Sequence, residues 1–152
     1  MPKFPARLSV QQVEEGHELA PRFDAAGFLP VVTTDADTGE VLMMGVMNQE
    51  ALRRSIETCE AYYWSRSRNC LWHKGATSGL IQHIVEMRID DDQDAVWLRV
   101  RTEGGANCHV GYRSCFYRSV PLGEGGPLTF TEHEKVFDPT TVYGDAPNPT
   151  QL

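Results

Sequence analysis

The sequence predicts a single-domain α+β fold, mostly strand, with a few short helices packed on it. Three observations carry that expectation. Val85, Met87 and Ile89 alternate with polar residues, as do Val96, Leu98 and Val100, which is the period of a strand with one buried face. Turn formers such as "DADTG" (35–39) and "PLGEGGP" (121–127) separate short apolar runs. The length, 152 residues, suits one domain with a real core.

The elements follow in order. Ser9 and Gln12 fit a capping box that opens a short helix ending near Gly16 or Pro21. "FLPVVTT" (28–34) reads as a strand, 35–39 as a turn and "EVLMMGVM" (40–47) as a second strand. Asn48 caps a helix through about Cys59, with Leu52, Ile56 and Cys59 on one face. "AYYWSRS" (61–67) is strand-like. "NCLWHKGATSGLIQ" (69–82) reads as a loop or a strand interrupted by turns. Residues 83–89 and 96–100 form the next two strands. Residues 1–120 are expected to form the main domain, and 121–152 a partly flexible extension. Within it, "DPTTVYG" (138–144) reads as one helical turn and "DAPNPTQL" (145–152) as a frayed tail.

Composition excludes some functions. Hydrophobic residues make up 41% and charged residues 23%, as in soluble globular proteins. The net charge is −7 with no long basic block, which argues against nucleic acid as a partner. No apolar run approaches the roughly 20 residues needed to span a bilayer. "MPKFPARLSV" (1–10) lacks the apolar stretch of a secretory signal, so a cytoplasmic location is expected. In that compartment the four cysteines are reduced, and serve as metal ligands or bystanders rather than disulfides. Cys59 and Cys70 have no histidine or acidic neighbour at ligand spacing and read as bystanders.

Three segments carry candidate chemistry. "IDDDQDAVWLRV" (89–100) puts four aspartates into five positions. If 90–94 is extended, Asp90, Asp92 and Asp94 share one face and Asp91 the other, and three converging carboxylates suit Mg²⁺. A calcium EF-hand loop is rejected, because its sixth and twelfth positions hold Ala95 and Arg101. The plain alternative is a solvated acidic turn. "CHVGYRSCF" (108–116) carries Cys108, His109 and Cys115, part of a zinc-site pattern or else two buried cysteines beside a core histidine. "YYWSRSRNCLWHKGATSG" (62–79) gathers Arg66, Arg68, Lys74, Thr77, Ser78 and two glycines, the groups that phosphates require. Trp72 offers a surface on which a base could stack, or a core side chain.

Taken together, "MNQEAL" (47–52), "YYWSRSR" (62–68), "LWHKGATSG" (71–79), Gln82, "DDDQDA" (90–95) and "CHVGYRSCF" (108–116) resemble the phosphoribosyl-AMP cyclohydrolase family. The resemblance covers about residues 28 to 118. It implies hydrolysis of the N1–C6 bond of N1-(5-phosphoribosyl)-AMP, the third step of histidine biosynthesis. It implies Mg²⁺ on Asp90, Asp92 and Asp94. It also implies Zn²⁺ shared across a homodimer, on Cys108 and Cys115 of one subunit and a motif cysteine of the other. That cysteine's position is Asp91 here. A carboxylate can ligate zinc, but it hardens the set and favours Mn²⁺ or Fe²⁺ more than three thiolates would.

Within that resemblance His109 is the first candidate for proton transfer, since histidine titrates near neutrality and this one adjoins a ligand cysteine. His73 is the second, and Lys74 is a candidate for stabilising an oxyanion. Arg66, Arg68, Trp72, Thr77 and Ser78 are the candidates for substrate binding. The alternative is an inactive paralogue that keeps the fold and binds metal as a regulatory protein, with Asp91 as its main support.

Overall fold

A computed structural model describes residues 3–152. The first helix, α1 (Val10–Glu15), starts where Ser9 Oγ accepts from the Gln12 amide at 3.0 Å. Gln12 Oε1 accepts from Leu8 N, one residue before the position a strict capping box would use. Strand β1 (Leu29–Asp35) turns through 36–40 into β2 (Val41–Met47), its antiparallel partner. Asp35 Oδ2 accepts from the amides of Asp37 and Thr38 and holds that turn.

Helix α2 (Gln49–Thr58) begins at Asn48, whose Oδ1 accepts from Ala51 N at 2.8 Å. It buries Ala51, Leu52 and Ser55. Cys59 is not on that face. It caps the helix in a left-handed conformation, φ 58°, and is exposed. Strands β3 (Tyr62–Ser65) and β4 (Cys70–His73) form a hairpin, so 69–82 is a short strand followed by turns.

Strands β5 (Gln82–Ile89) and β6 (Val96–Thr102) form a second hairpin. The pairing shifts register between Ile84 and Glu86. This bulge overturns one expectation: Ile84, Met87 and Ile89 pack on the core, while Val85 is 47% exposed. The alternation is broken at one residue, which a period-two reading carries straight through.

The six strands order as β4-β3-β2-β1-β6-β5, antiparallel except for the parallel β1/β6 pair. Residues 59–61, leading into β3, also bond to β5: Ala61 N to Gln82 O at 3.0 Å and Ile84 N to Cys59 O at 2.8 Å. These bonds draw the two ends of the sheet together, so it curls. Its concave side encloses Leu29, Val31, Leu42, Met47, Leu52, Tyr63, Leu98 and Val100. After β6 the chain makes a two-stranded ribbon, β7 (Arg118–Ser119) with β8 (Thr129–Phe130), and a last helix, α3 (Pro139–Tyr143). Among the described residues no helix is long and apolar enough to cross a membrane.

Candidate active site

Lys74 follows β4 directly and lies on the same side as Trp72. Its ammonium sits 5.0 Å from the Trp72 ring centroid and donates to the Asn107 carbonyl at 2.7 Å. Only 4% of the residue is exposed, and burial pulls its pKa down. Gly75 makes this placement possible. Its φ is +93°, and a Cβ there would meet the Ile81 amide nitrogen at 2.5 Å, so only glycine lets the chain turn back so tightly.

The backbone that Lys74 reaches belongs to the loop carrying both candidate zinc thiols. Asn107 organises it. Its Oδ1 accepts from Gln82 Nε2 at 2.9 Å and Thr102 Oγ1 at 2.8 Å, and its Nδ2 donates to Arg113 O at 2.8 Å. Gln82 Oε1 in turn accepts from the Tyr63 hydroxyl at 2.6 Å, and Thr33 Oγ1 lies 2.6 Å from that hydroxyl. The core thus holds a connected, satisfied polar chain from β1 to the thiol loop. Cys115 N donates to Leu42 O at 2.7 Å and ties the returning segment to β2.

Cys108 and Cys115 hydrogen-bond to each other through their sulfurs. That bond, with the Val110 amide and the Lys74 ammonium, outweighs burial and brings Cys108 down to about 6. Cys115 goes the other way, raised by the Cys108 thiolate and by burial. The pair therefore holds one shared proton near neutrality. Two such sulfurs, one already a thiolate, fit a borderline-soft divalent cation that would replace that proton.

A cavity of about 550 Å³ opens beside this loop. Its walls include Arg68, Trp72, Lys74, Thr77, Ser78 and His109, six of the residues the sequence singled out. The Arg68 guanidinium lies 5.5 Å from the Trp72 ring centroid. The cavity brings in neither Arg66, which is exposed on the turn after β3, nor His73. His73 faces the other side of β4. There it stacks on Tyr62 at 4.4 Å and its Nε2 lies 3.2 Å from Glu60 Oε1. Strand alternation separates His73 from its neighbours Trp72 and Lys74.

The aspartate run is a turn and not an extended segment. Gln93 has φ +58°, and Asp90 Oδ1 accepts from the amides of Asp94 at 2.9 Å and Ala95 at 3.1 Å. Asp90, Asp92 and Asp94 still converge, with one oxygen from each within 4.8 Å of the others. Hydrogen bonds to Asp90 and Asp92 push Asp94 up to about 6. Asp90 is opposed by burial, yet the Asp94 and Ala95 amides hold it below its ordinary value. Three carboxylate oxygens around one retained proton fit a hard cation.

Asp91 does not join the thiols within one chain. It lies in the turn before β6, whereas Cys108 follows the end of that strand. Seven residues of strand span about 23 Å at roughly 3.3 Å each. Among the described residues, Asp90, Asp92 and Asp94 are the one cluster of three or more His, Cys, Asp or Glu at ligand spacing.

Sequence reasoning missed two contributors. Asn107 was not among the candidates, although its place before Cys108 was a usable signal. The tail is the other: Tyr143 and residues 146–151 line the same cavity.

A basic, hydroxyl-bearing cavity with an imidazole beside a thiol pair, one member of which is acidified, defines an enzyme site for a small anionic molecule. A family model for phosphoribosyl-AMP cyclohydrolase matches residues 43–117. Proteins with that name align along nearly the whole chain. One from Nitrobacter hamburgensis is 54% identical over 141 residues, covering 91% of this chain and 95% of its own. One from Rhodopseudomonas palustris is 57% identical over 139 residues, covering 90% and 92%. One from Bradyrhizobium diazoefficiens is 56% identical over 133 residues, covering 87% and 94%. The chain belongs to the phosphoribosyl-AMP cyclohydrolase family.

Proposed function

We propose that the chain hydrolyses the N1–C6 bond of N1-(5-phosphoribosyl)-AMP, opening the purine to the formimino-carboxamide ribotide of histidine biosynthesis. The observation that carries this reading is one cavity walled by Arg68, Trp72, Lys74, Thr77, Ser78 and His109 beside the thiol loop.

The substrate's alkylated N1 leaves C6 electron-poor. The water oxygen bonds to C6, the N1–C6 bond breaks, and its electron pair goes to N1. One proton must leave the attacking water and one must reach the departing nitrogen. His109 takes the first and returns the second, because its imidazole lines the cavity and burial keeps it neutral enough to accept. The Lys74 ammonium faces the negative charge that develops on oxygen at C6. Trp72 presents its ring to the base, and Arg68, Thr77 and Ser78 take the phosphates.

Zn²⁺ would be held by Cys108 and Cys115, with Asp91 from a second copy completing the set in a homodimer. When bound, such an ion supplies a water whose pKa falls from about 15.7 towards roughly 7. The Asp91 carboxylate makes the set harder, so Mn²⁺ and Fe²⁺ compete better for it. Mg²⁺ would sit on Asp90, Asp92 and Asp94. Four free cysteines suit the reducing cytoplasm.

The test is turnover of phosphoribosyl-AMP by metal-stripped protein, followed by ultraviolet absorbance, with Zn²⁺, Mn²⁺, Fe²⁺ and Mg²⁺ restored separately. Ring opening supports the reading. Metal binding with no ring opening under any ion would instead support a non-catalytic metal-binding paralogue.

A further inference from the structure

Residues 118–137 follow the segment that the family model matches, and they pack on the thiol loop. No residue after Ser114 is buried, and none of residues 117–137 joins the hydrophobic core. The β7/β8 ribbon is therefore held in place by something other than the core. Residues 107–117, for their part, contain no helix or strand that would fix the two sulfurs. Tertiary contacts on two sides hold the loop instead. On the β2 side Ser114 Oγ donates to Val41 O at 2.8 Å, and Arg113 pairs with Glu40.

The ribbon supplies the other side. Tyr112, buried between the two cysteines, stacks on Tyr117 with ring centroids 4.1 Å apart. Phe130 of β8 lies 6.4 Å from the Tyr112 ring and 6.1 Å from that of Tyr117. Glu132 takes a second arm of Arg113 at 2.8 Å, and Val136 N donates to Gly111 O at 2.7 Å. The approach is so close that a Cβ on Gly111 would lie 2.5 Å from the Phe137 carbonyl oxygen. Tyr112 links these contacts to the sulfurs. Its carbonyl accepts from Cys108 N at 3.2 Å, and Cys108 O accepts from Gly111 N at 2.9 Å. The turn that carries Cys108 thus closes on the residue whose ring the ribbon grips. Tyr117 stands two positions after Cys115, so the same stack anchors both ends of the loop.

We propose that Tyr117 and Phe130 are positioning residues for the Cys108–Cys115 pair, and that the ribbon they anchor presets the loop for a thiophilic divalent cation. This rests on the reading that those two sulfurs are cation ligands. A loop ordered in advance loses less binding free energy to fixing its ligands. Groups behind the ligands of a metal commonly change its affinity by about tenfold to a hundredfold. Both rings are uncharged, so replacing them alters position and leaves the charge around the sulfurs as it was.

The experiment titrates the full-length, metal-free chain with Co²⁺, whose thiolate charge-transfer absorbance reports sulfur ligation. Tyr117→Ala and Phe130→Ala weaken Co²⁺ binding by about tenfold. Tyr117→Phe keeps the ring and stays within about twofold of the parent. Leu122→Ser, at a ribbon position that is 94% exposed, also stays within about twofold. The metal-free alanine variants melt within about 4 °C of the parent, because neither ring enters the core. Unchanged Co²⁺ affinity in both alanine variants overturns the inference, and so does an equal loss in Leu122→Ser. A fall in melting temperature of more than about 10 °C in both variants makes the rings generally structural and overturns it too. Cys108→Ser separates the two levels. If the parent shows no thiolate absorbance, or Cys108→Ser keeps all of it, the ligand reading fails and this inference with it. If Cys108→Ser loses the absorbance while Tyr117→Ala and Phe130→Ala are silent, this inference fails by itself.

Discussion

Lys74 donates to the carbonyl of Asn107 at 2.7 Å, and that bond ties the Trp72 side of the cavity to the loop bearing both thiols. A lone buried cation is costly unless it is solvated by protein dipoles and placed near negative charge. Here one carbonyl, one indole face and the Cys108–Cys115 pair provide both.

Lys74→Met is therefore expected to separate stability from catalysis. Methionine fills the same space without the desolvation cost, so the melting temperature stays within about 4 °C. Turnover falls by about 10²-fold or more, the scale of one lost charge-stabilising donor. Thermal denaturation and steady-state rates on the same preparation check both halves. A large stability loss with proportionate activity loss would make Lys74 merely structural.

Asn107→Ala removes the centre of the buried polar chain. Gln82, Thr102 and Arg113 each lose a partner where water is excluded. Leaving such groups unpaired costs about 3 kcal/mol in all. Urea unfolding of the metal-free protein reads this directly. Tyr63→Phe, which removes only the far end of the chain, costs about 1–2 kcal/mol by the same measurement.

The aspartate turn predicts a pH dependence for Mg²⁺. Asp94 keeps its proton up to about 6, and a bound cation must displace it. Affinity therefore falls as pH drops through about 6 and levels off above it, because the proton competes only while it is bound. Calorimetric titrations at pH 7.5 and 5.5 test the sign, using roughly 1.5 units on the high side and less than one on the low side. Asp92→Asn removes binding at both. Tighter binding at the lower pH would contradict the assignment.

Gln93 joins that turn to the N-terminal segment. Its Oε1 accepts from Ala20 N at 2.8 Å, and its Nε2 donates to Val13 O at 2.9 Å and Glu18 O at 3.1 Å. Arg7 adds a bond to Asp92 O at 2.8 Å. Gln93→Ala should cost about 2 kcal/mol and expose the amides of residues 9–20 to hydrogen exchange. Protection unchanged in that segment would show that α1 is held by other contacts.

Much of the fold was legible because local chemistry and tertiary packing agree. Asn48 caps α2 as its side chain suggests, and Val96, Leu98 and Val100 all point into the core. The misses have physical causes. The bulge beside Val85 depends on a partner strand that the sequence of β5 does not mention. Asp90, Asp92 and Asp94 converge, but through a turn made by the left-handed Gln93 rather than by strand alternation. Lys74, Thr77 and Ser78 were singled out for phosphate chemistry and Trp72 for stacking on a base, and the structure brings all four to one cavity. The sequence ranked His109 above His73 for proton transfer; of the two, only His109 lines the cavity, because His73 falls on the other side of β4. The tail carries no periodic signal at all, yet it lines the cavity, and Thr150 Oγ1 lies 3.5 Å from His109 Nε2, 41 positions away in the chain.

The most direct measurement is ring opening of phosphoribosyl-AMP by metal-reconstituted parent, His109→Ala and His73→Ala proteins, followed by ultraviolet absorbance. The parent opens the ring, His109→Ala loses about 10²-fold or more in kcat, and His73→Ala stays within about threefold of the parent. A parent that turns over nothing with any of the four ions, or a His109→Ala protein as fast as the parent, would contradict the account.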